Sequence, residues 1–349
     1  MAKIVLTGGG TAGHCIPNLT LIPFLKKYFN EIVYVGSHDG MEKDLVKKHK
    51  IPYHSVTCEK FRRSFSVKNF TIPLKVIKGI DEAGKILDKI KPDVIFSKGG
   101  FVSVPIVIAG KKRKIPIVLH ESDLSMGLAN KICSRFSSIV LTSFPETAKT
   151  VKNGIFVGSP IRKIKKSKPN LADFNFNPNK PVILVFGGSQ GAYAINQTLR
   201  KSLDRLLKKY NVFHVCGKGN INLELKQNGY YQAEFVNKMD EIINIADVCV
   251  TRAGANSLFE LISVKKPCLV IPLPKGNSRG DQILNAEYFE KKGLISVLQQ
   301  SSLTENSLEF HINALYNNAS FIKNMQNEEF VTDKSEKIAE ILAGYIKNK

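Results

Sequence analysis

Lys3-Ile4-Val5-Leu6-Thr7-Gly8-Gly9-Gly10-Thr11-Ala12-Gly13-His14 runs from five residues of strand character straight into a glycine-rich stretch, and Pro17 then opens a segment of helical period. The sequence reads as strand, glycine loop, helix. Glycine lets the backbone approach a ligand closely, and a helix N-terminus offers unpaired N–H groups and a positive dipole end, so the loop is a candidate diphosphate cradle. Its glycines fit G-x-G-x-x-G. The acidic residue of a nicotinamide site is missing, however, because Ile32-Val33-Tyr34-Val35 leads into Gly36-Ser37-His38. His14 follows the last glycine directly. An imidazole there can act as a base on a bound hydroxyl, or it can cap and pack the loop.

Outward from this stretch, apolar runs alternate with helix-period segments. Ile32 to Gly36, Asp93 to Ser97, Ile115 to His120 and Ser138 to Thr142 read as buried strands. Segments near Met41 to His49, Phe70 to Ile90, Val104 to Lys112, Gly127 to Arg135 and Pro145 to Lys152 read as crossover helices. Gly158-Ser159-Pro160-Ile161-Arg162 and the lysine-rich tract after it look like an interdomain connection. The pattern then restarts: Val182 to Phe186 runs into Gly187-Gly188-Ser189-Gln190-Gly191-Ala192, with a helix to about Lys208 and strands near Val212 to Cys216, Glu234 to Val236, Asp247 to Thr251 and Cys268 to Ile271. The expectation is an α/β protein of two Rossmann-like, doubly wound parallel-sheet domains, residues 1–161 and 162–334, facing across a cleft. A last helix within 335–349 is expected to pack back on the first domain.

A length of 349 residues suits two domains, and 43% hydrophobic residues suffice for packed cores. The formal net charge of +21 points to an anionic partner such as nucleic acid, a phosphorylated substrate or an acidic membrane surface. No nucleic-acid module or basic stripe with stacking aromatics stands out, so nucleic acid is not expected. The six cysteines are dispersed without a C-x-x-C and read as reduced core thiols. Met1-Ala2 leads straight into the first strand, and no apolar run approaches the ~18 residues of a spanning helix, so neither a signal peptide nor a membrane span is expected.

Several further loops follow expected strands at the end where open sheets bind ligands. They are Ser97-Lys98-Gly99-Gly100-Phe101, His120-Glu121-Ser122-Asp123 and Gly187 to Ala192, where Ser189 can donate to a phosphate. Thr251-Arg252-Ala253-Gly254-Ala255-Asn256-Ser257-Leu258-Phe259-Glu260 offers small residues to a diphosphate at a helix start. Glu260, about two turns in, can accept both hydroxyls of a ribose. Ser278 to Ala286 brings polar side chains to another helix start. Between Lys60 and Lys85 seven basic residues meet two acidic ones, interleaved with Phe61, Phe65, Phe70, Leu74 and Ile77. Phe70, Leu74 and Ile77 share a helix face beside Lys75 and Lys78. Such a face suits an anionic membrane interface, at about 1 kcal/mol per nearby basic residue, or packs on its own sheet.

Taken together, these motifs resemble the GT-B glycosyltransferases of family 28 that add N-acetylglucosamine to undecaprenyl-linked muramyl-pentapeptide, making lipid II for peptidoglycan. The likeness runs nearly end to end, through Gly8 to His14, Gly99-Gly100-Phe101-Val102-Ser103, His120 to Asp123, Gly187 to Ala192, Arg252 to Ala255 and Asp281-Gln282. It implies a hexosyltransferase with UDP-N-acetylglucosamine as donor and the undecaprenyl-diphosphate-linked muramyl-pentapeptide as acceptor, peripheral on the cytoplasmic face of the cell membrane. His14 looks like the family's base. Thr11, Ala12 and Gly13 would lie at the donor sugar and acceptor diphosphate, with Gly10, Gly99 and Gly100 also at that diphosphate. Arg162 and Ser189 would meet the donor phosphates, and Val236 would offer its backbone to uracil. Ala255, Asn256, Ser257, Leu258, Phe259 and Glu260 would bind diphosphate and ribose, while Gln282 would hold the sugar. Asp123 stands where members of the family often carry an Asn contacting the sugar, and Asp281 where some carry a second Gln.

The chemistry agrees with the likeness. A leaving diphosphate can be stabilised by helix N-termini and fixed positive potential, and the chain has no Asp-x-Asp pair to hold a metal, so no cofactor and no metal are expected. His14 would take the proton of the muramyl 4-hydroxyl as it attacks and inverts the anomeric carbon. The competing readings are a UDP-N-acetylglucosamine 2-epimerase, which needs the same donor loops without an acceptor, and another GT-B glycosyltransferase of lipid acceptors.

Overall fold

The computed structural model describes residues 1–59, 72–188, 191–276, 279–326 and 331–346. The chain divides into two compact units, one of Met1–Arg162 with Thr332–Lys349 and one of Lys163–Val331.

The first unit alternates β1 (Lys3–Thr7), α1 (Ala12–Leu25), β2 (Glu31–Ser37), α2 (Met41–Lys48), β3 (Tyr53–Val56), α3 (Ile72–Ile90), β4 (Val94–Ser97), α4 (Ser103–Lys112), β5 (Ile117–Glu121), α5 (Leu128–Cys133), β6 (Ile139–Thr142), α6 (Pro145–Lys149) and β7 (Gly154–Phe156). The seven strands form one parallel sheet in the order β3-β2-β1-β4-β5-β6-β7. A parallel sheet covered on both faces buries every side chain, which is why its central strands read as unbroken apolar runs. Ile4, Leu6, Tyr34 and Phe96 face one core with Leu21, Ile22 and Leu25 of α1, while Val5, Val33 and Ile95 face the other with Ala83, Leu87 and Ile106 of α3 and α4.

The second unit repeats the plan with β8 (Val182–Phe186), α7 (Tyr193–Lys209), β9 (Asn211–Val215), β10 (Tyr230–Ala233), α8 (Met239–Ile245), β11 (Val248–Thr251), α9 (Ala255–Ser263), β12 (Cys268–Val270), α10 (Asp281–Lys291), β13 (Ser296–Val297), α11 (Glu305–Asn317) and α12 (Ala319–Met325). Its parallel sheet runs β10-β9-β8-β11-β12-β13. The final helix, α13 (Ser335–Ala343), belongs to the first unit, where Ile338, Ala339 and Leu342 are buried in the core that α1 lines.

Three differences from the sequence reading are informative. α1 begins at Ala12 and carries Pro17 and Pro23 inside it. Each proline removes a helix hydrogen bond, and burial of Leu19, Leu21, Ile22 and Leu25 offsets the loss. His14 therefore sits in the first turn of the helix, not in the loop. The strand expected at Glu234 to Val236 lies instead at Tyr230–Ala233, because Tyr230 pairs with Val212 and is buried while Phe235 is 65% exposed. Short β3, β7 and β13 carry too few apolar residues to announce themselves.

Candidate functional site

In each sheet the strand order reverses once, between β1 and β4 and between β8 and β11. Ligands of open parallel sheets bind at that reversal, outside the carboxyl ends of the strands. Nearly all the loops singled out from sequence stand at one of these two places.

In the first unit the loops after β1 and β4 are joined by their own backbones. Lys98 donates its N–H to Thr7 O at 3.0 Å, and Gly9 N–H reaches Gly99 O at 3.4 Å. Gly100 has φ +82°, and a Cβ there would sit 2.2 Å from Gly9 O, so only glycine allows this approach. Tyr34, buried beneath, donates its hydroxyl to Gly8 O at 2.5 Å, and Asn18 donates its amide to Thr7 O at 3.0 Å.

Thr11 is the N-cap of α1 in extended conformation but makes no side-chain cap bond; its Oγ1 lies instead 2.9 Å from His14 Nδ1. When Nδ1–H donates to that oxygen, the lone pair rests on Nε2, the arrangement a base requires. Nδ1 also lies 3.2 Å from the position of a Cβ on Gly100, which places the imidazole over the second glycine loop.

Glu42, from α2, escaped the sequence reading. Its side chain is fully buried, with Oε2 accepting from Gly10 N–H at 3.3 Å and Oε1 from Ser37 N–H at 3.1 Å and from the Ser37 hydroxyl. A Cβ on Gly9 would lie 2.6 Å from this carboxylate. Gly10, expected at the acceptor diphosphate, thus gives its N–H to Glu42 and shapes the loop. The local sequence carries no signal for this, since Glu42 lies 32 residues from its partner along the chain.

Beneath the third loop Lys98 is only 2% exposed, with Nζ 2.6 Å from His120 Nδ1 and 2.6 Å from Ser122 Oγ. Burial pushes its pKa down to about 7 against the pull of Glu121 and Asp123. Burial, and then Lys98, hold His120 well below the usual histidine range, so it is neutral. Its Nε2 faces Gly158 O at 2.9 Å, which makes Nε2 the N–H and Nδ1 the acceptor. Glu121 accepts from Asp123 N–H, Gly127 N–H and Asn130 Nδ2, each at 2.9–3.0 Å, and so sets the turn that presents Asp123.

In the second unit the loops after β8, β11 and β12 occupy the corresponding place. Ser189 lies outside the described residues. α9 starts at Ala255 directly after the β11 loop, with Asn256, Ser257 and Glu260 partly exposed. Leu258 and Phe259 are fully buried, the Phe259 ring edge-on to Phe289 at 5.3 Å, so their side chains anchor the helix. Arg252 donates to Ile271 O, Pro272 O and Gln300 Oε1, which fastens the end of β12. Gln282, in the first turn of α10, accepts from Leu273 N–H at 3.0 Å. Val236 lies in the loop after β10, and Arg162 ends the first stretch of the first unit, outside any helix or strand.

Of the face singled out on α3, Leu74 is 70% and Ile77 63% exposed. Lys75 pairs with Glu59 at 2.7 Å and Lys78 with Glu82 at 3.8 Å. Phe65 and Phe70 lie outside the described residues. Among the described residues no helix is long and apolar enough to cross a membrane, and no cluster of His, Cys, Asp and Glu could hold a metal ion.

Residues 4–142 match the glycosyltransferase family 28 N-terminal domain and residues 182–342 its C-terminal domain. A Clostridium tetani protein named UDP-N-acetylglucosamine–N-acetylmuramyl-(pentapeptide) pyrophosphoryl-undecaprenol N-acetylglucosamine transferase is 46% identical over 336 residues, 94% of each chain. A Bacillus thuringiensis protein of the same name, numbered 3, is 49% identical over 325 residues, 91% of this chain and 92% of its own. Among solved structures, Acinetobacter baumannii MurG shares the fold with a TM-score of 0.76 at 23% identity, covering 99% of this chain and all of that one. The Staphylococcus aureus MnaA–UDP complex shares it at 0.71 and 14%, covering 99% and 97%.

Proposed function

The chain belongs to glycosyltransferase family 28, and from that membership we propose that it transfers N-acetylglucosamine from UDP-N-acetylglucosamine to the 4-hydroxyl of N-acetylmuramyl-pentapeptide carried on undecaprenyl diphosphate. It is an N-acetylglucosaminyltransferase of the lipid I to lipid II step. The observation that carries this is likeness to relatives named for that transfer, at 46% and 49% identity over nearly the whole chain.

The acceptor diphosphate rests on Gly13, Gly99 and Gly100, in the loop shape that Glu42 sets through Gly10. His14, its Nδ1–H given to Thr11, takes the muramyl hydroxyl proton at Nε2 as the oxygen attacks the anomeric carbon and inverts it. Thr11, Ala12, Gly13 and Asp123 lie about the transferred sugar. The leaving UDP is held by the α9 N-terminus with Ala255, Asn256 and Ser257, by Ser189 and Arg162 on its phosphates, by Glu260 on the ribose and by the Val236 backbone on uracil, while Gln282 holds the sugar. Fixed N–H groups and positive potential there stabilise the charge that develops on the diphosphate.

The polyprenyl tail of the acceptor calls for membrane contact, and the exposed Leu74 and Ile77 beside Lys75 and Lys78 support a peripheral site on the cytoplasmic face. The test of the activity is transfer of labelled N-acetylglucosamine to a short-chain lipid I analogue without added metal; an absence of product overturns it. Conversion of UDP-N-acetylglucosamine alone into a second UDP-sugar would mark an epimerase.

A further inference from the structure

Lys98 takes no part in the transfer chemistry above, yet it is buried where the three loops of the first unit meet. It immediately precedes Gly99 and Gly100, and its Cβ lies 3.2 Å from the position of a Cβ on Gly8. A buried ammonium is costly unless partnered, and the partners here are neutral: His120 Nδ1 and Ser122 Oγ, each at 2.6 Å. The bond from His120 Nε2 to Gly158 O fixes Nδ1 as an acceptor, so the imidazole brings no second positive charge.

The carboxylates that reach Lys98 are Glu121 of β5 and Asp123 of the loop after it. Glu121 is already engaged by three N–H donors. On the α1 side the titratable group is His14, against Gly100, and from α2 it is Glu42, behind Gly9 and Gly10. Two negative groups therefore bear on Lys98 directly, and neither ends within hydrogen-bond distance of its Nζ among the described contacts.

We propose that Lys98 is the buried counter-charge of the acceptor half-site, taking up a proton from solvent when a diphosphate settles on Gly13, Gly99 and Gly100. The inference rests on the acceptor reading given above. In the neutral amine two N–H bonds serve His120 and Ser122 and a lone pair remains; the incoming proton occupies that lone pair, and no bond to carbon forms or breaks. Because burial holds the empty-site pKa down to about 7, the amine is part-neutral under ordinary conditions. A dianion close by in a medium of low dielectric favours the ammonium and raises that pKa. Binding and protonation are then linked: affinity is full below the empty-site pKa and falls above it, by about fivefold from about pH 7 to about pH 8.

The test is isothermal titration of the full chain with a short-chain prenyl-diphosphate muramyl-pentapeptide, in phosphate and in Tris buffer at about pH 7. The two differ in ionisation enthalpy, so the difference in heat counts protons, and uptake of about half a proton is expected. Lys98→Met removes the uptake together with the pH dependence of affinity. Lys98→Arg, always charged, keeps the affinity, loses the uptake, and serves should the methionine variant not fold. His14→Gln retains the uptake. A wild type that transfers sugar but takes up no proton overturns the role of Lys98 alone, as does uptake that survives in the Lys98 variants or vanishes in His14→Gln. A wild type that does not bind the acceptor overturns the acceptor reading as well.

Discussion

The proposed role of His14 as base draws on its contact with the Thr11 hydroxyl. Thr11 sits where a helix cap belongs, but its oxygen serves the imidazole, 2.9 Å away, and the helix start goes without a side-chain cap. An N-cap bond is worth about 1 kcal/mol, and its absence here is the kind of local loss expected where a residue serves chemistry. His14→Gln is expected to lower kcat by about a hundredfold to ten-thousandfold while leaving UDP binding intact. Thr11→Val, which removes the tautomer-setting partner, is expected to lower kcat by a smaller factor; steady-state transfer kinetics measure both. A second histidine works through stability. His214 is buried between the Tyr230 hydroxyl at 2.9 Å and Asn196 Oδ1 at 3.0 Å, and burial lowers its pKa to about 3. The unfolded chain binds a proton at this residue below about pH 6.5 and the folded one does not, so stability falls as pH drops, by about 1.4 kcal/mol per pH unit. Denaturant midpoints from about pH 7 to about pH 5 are expected to decline, and His214→Gln to flatten that slope.

The glycine loops show what a sequence reveals of its elements and what it withholds. Gly8 to His14 and Ser97 to Phe101 were legible because small residues after an apolar run have few other uses, and the central strands because both faces of the sheet are buried. The brace on the first loop was not legible: Glu42 looks like any helix glutamate, and only the fold brings it to Gly10 N–H. Nor does Lys98, a lysine beside two glycines, reveal its burial. The strand at Tyr230–Ala233 is hard to place from sequence because Phe235 and Val236 look more like a strand than Tyr230 and Tyr231 do. Glu42→Ala, which strips a buried acceptor from two backbone N–H groups, is expected to cost about 1–3 kcal/mol in stability. It should also raise the acceptor KM more than the donor KM, as thermal unfolding and two-substrate kinetics will show. On α3, the exposed Leu74 and Ile77 are expected to support binding to anionic liposomes that weakens with salt, and Leu74→Glu with Ile77→Glu to abolish it; equal binding to neutral liposomes would count against membrane contact by this face.

At the scale of the whole molecule, each unit has its own sheet and its own core. UDP is expected to raise the unfolding temperature of the second unit specifically, by the linkage that stabilises whatever state binds, and calorimetry should resolve this as movement of one component of the transition. Removal of residues 332–349 is expected to destabilise the first unit and not the second. That truncation takes away the buried Ile338, Ala339 and Leu342, the ion pair between Lys27 and Glu336 at 2.8 Å, and the bond that Ile161 N–H donates to Asp333 Oδ1.

The same segment sets an order of events during translation. A ribosome finishes all of the second lobe before it releases α13, the helix that closes the core of the first. The lobe made first therefore waits, with the part of its core that Ile338, Ala339 and Leu342 complete still open, for a stretch synthesised more than 170 residues later. That interval is the time at which a nascent chain of this design most needs a chaperone to shield it.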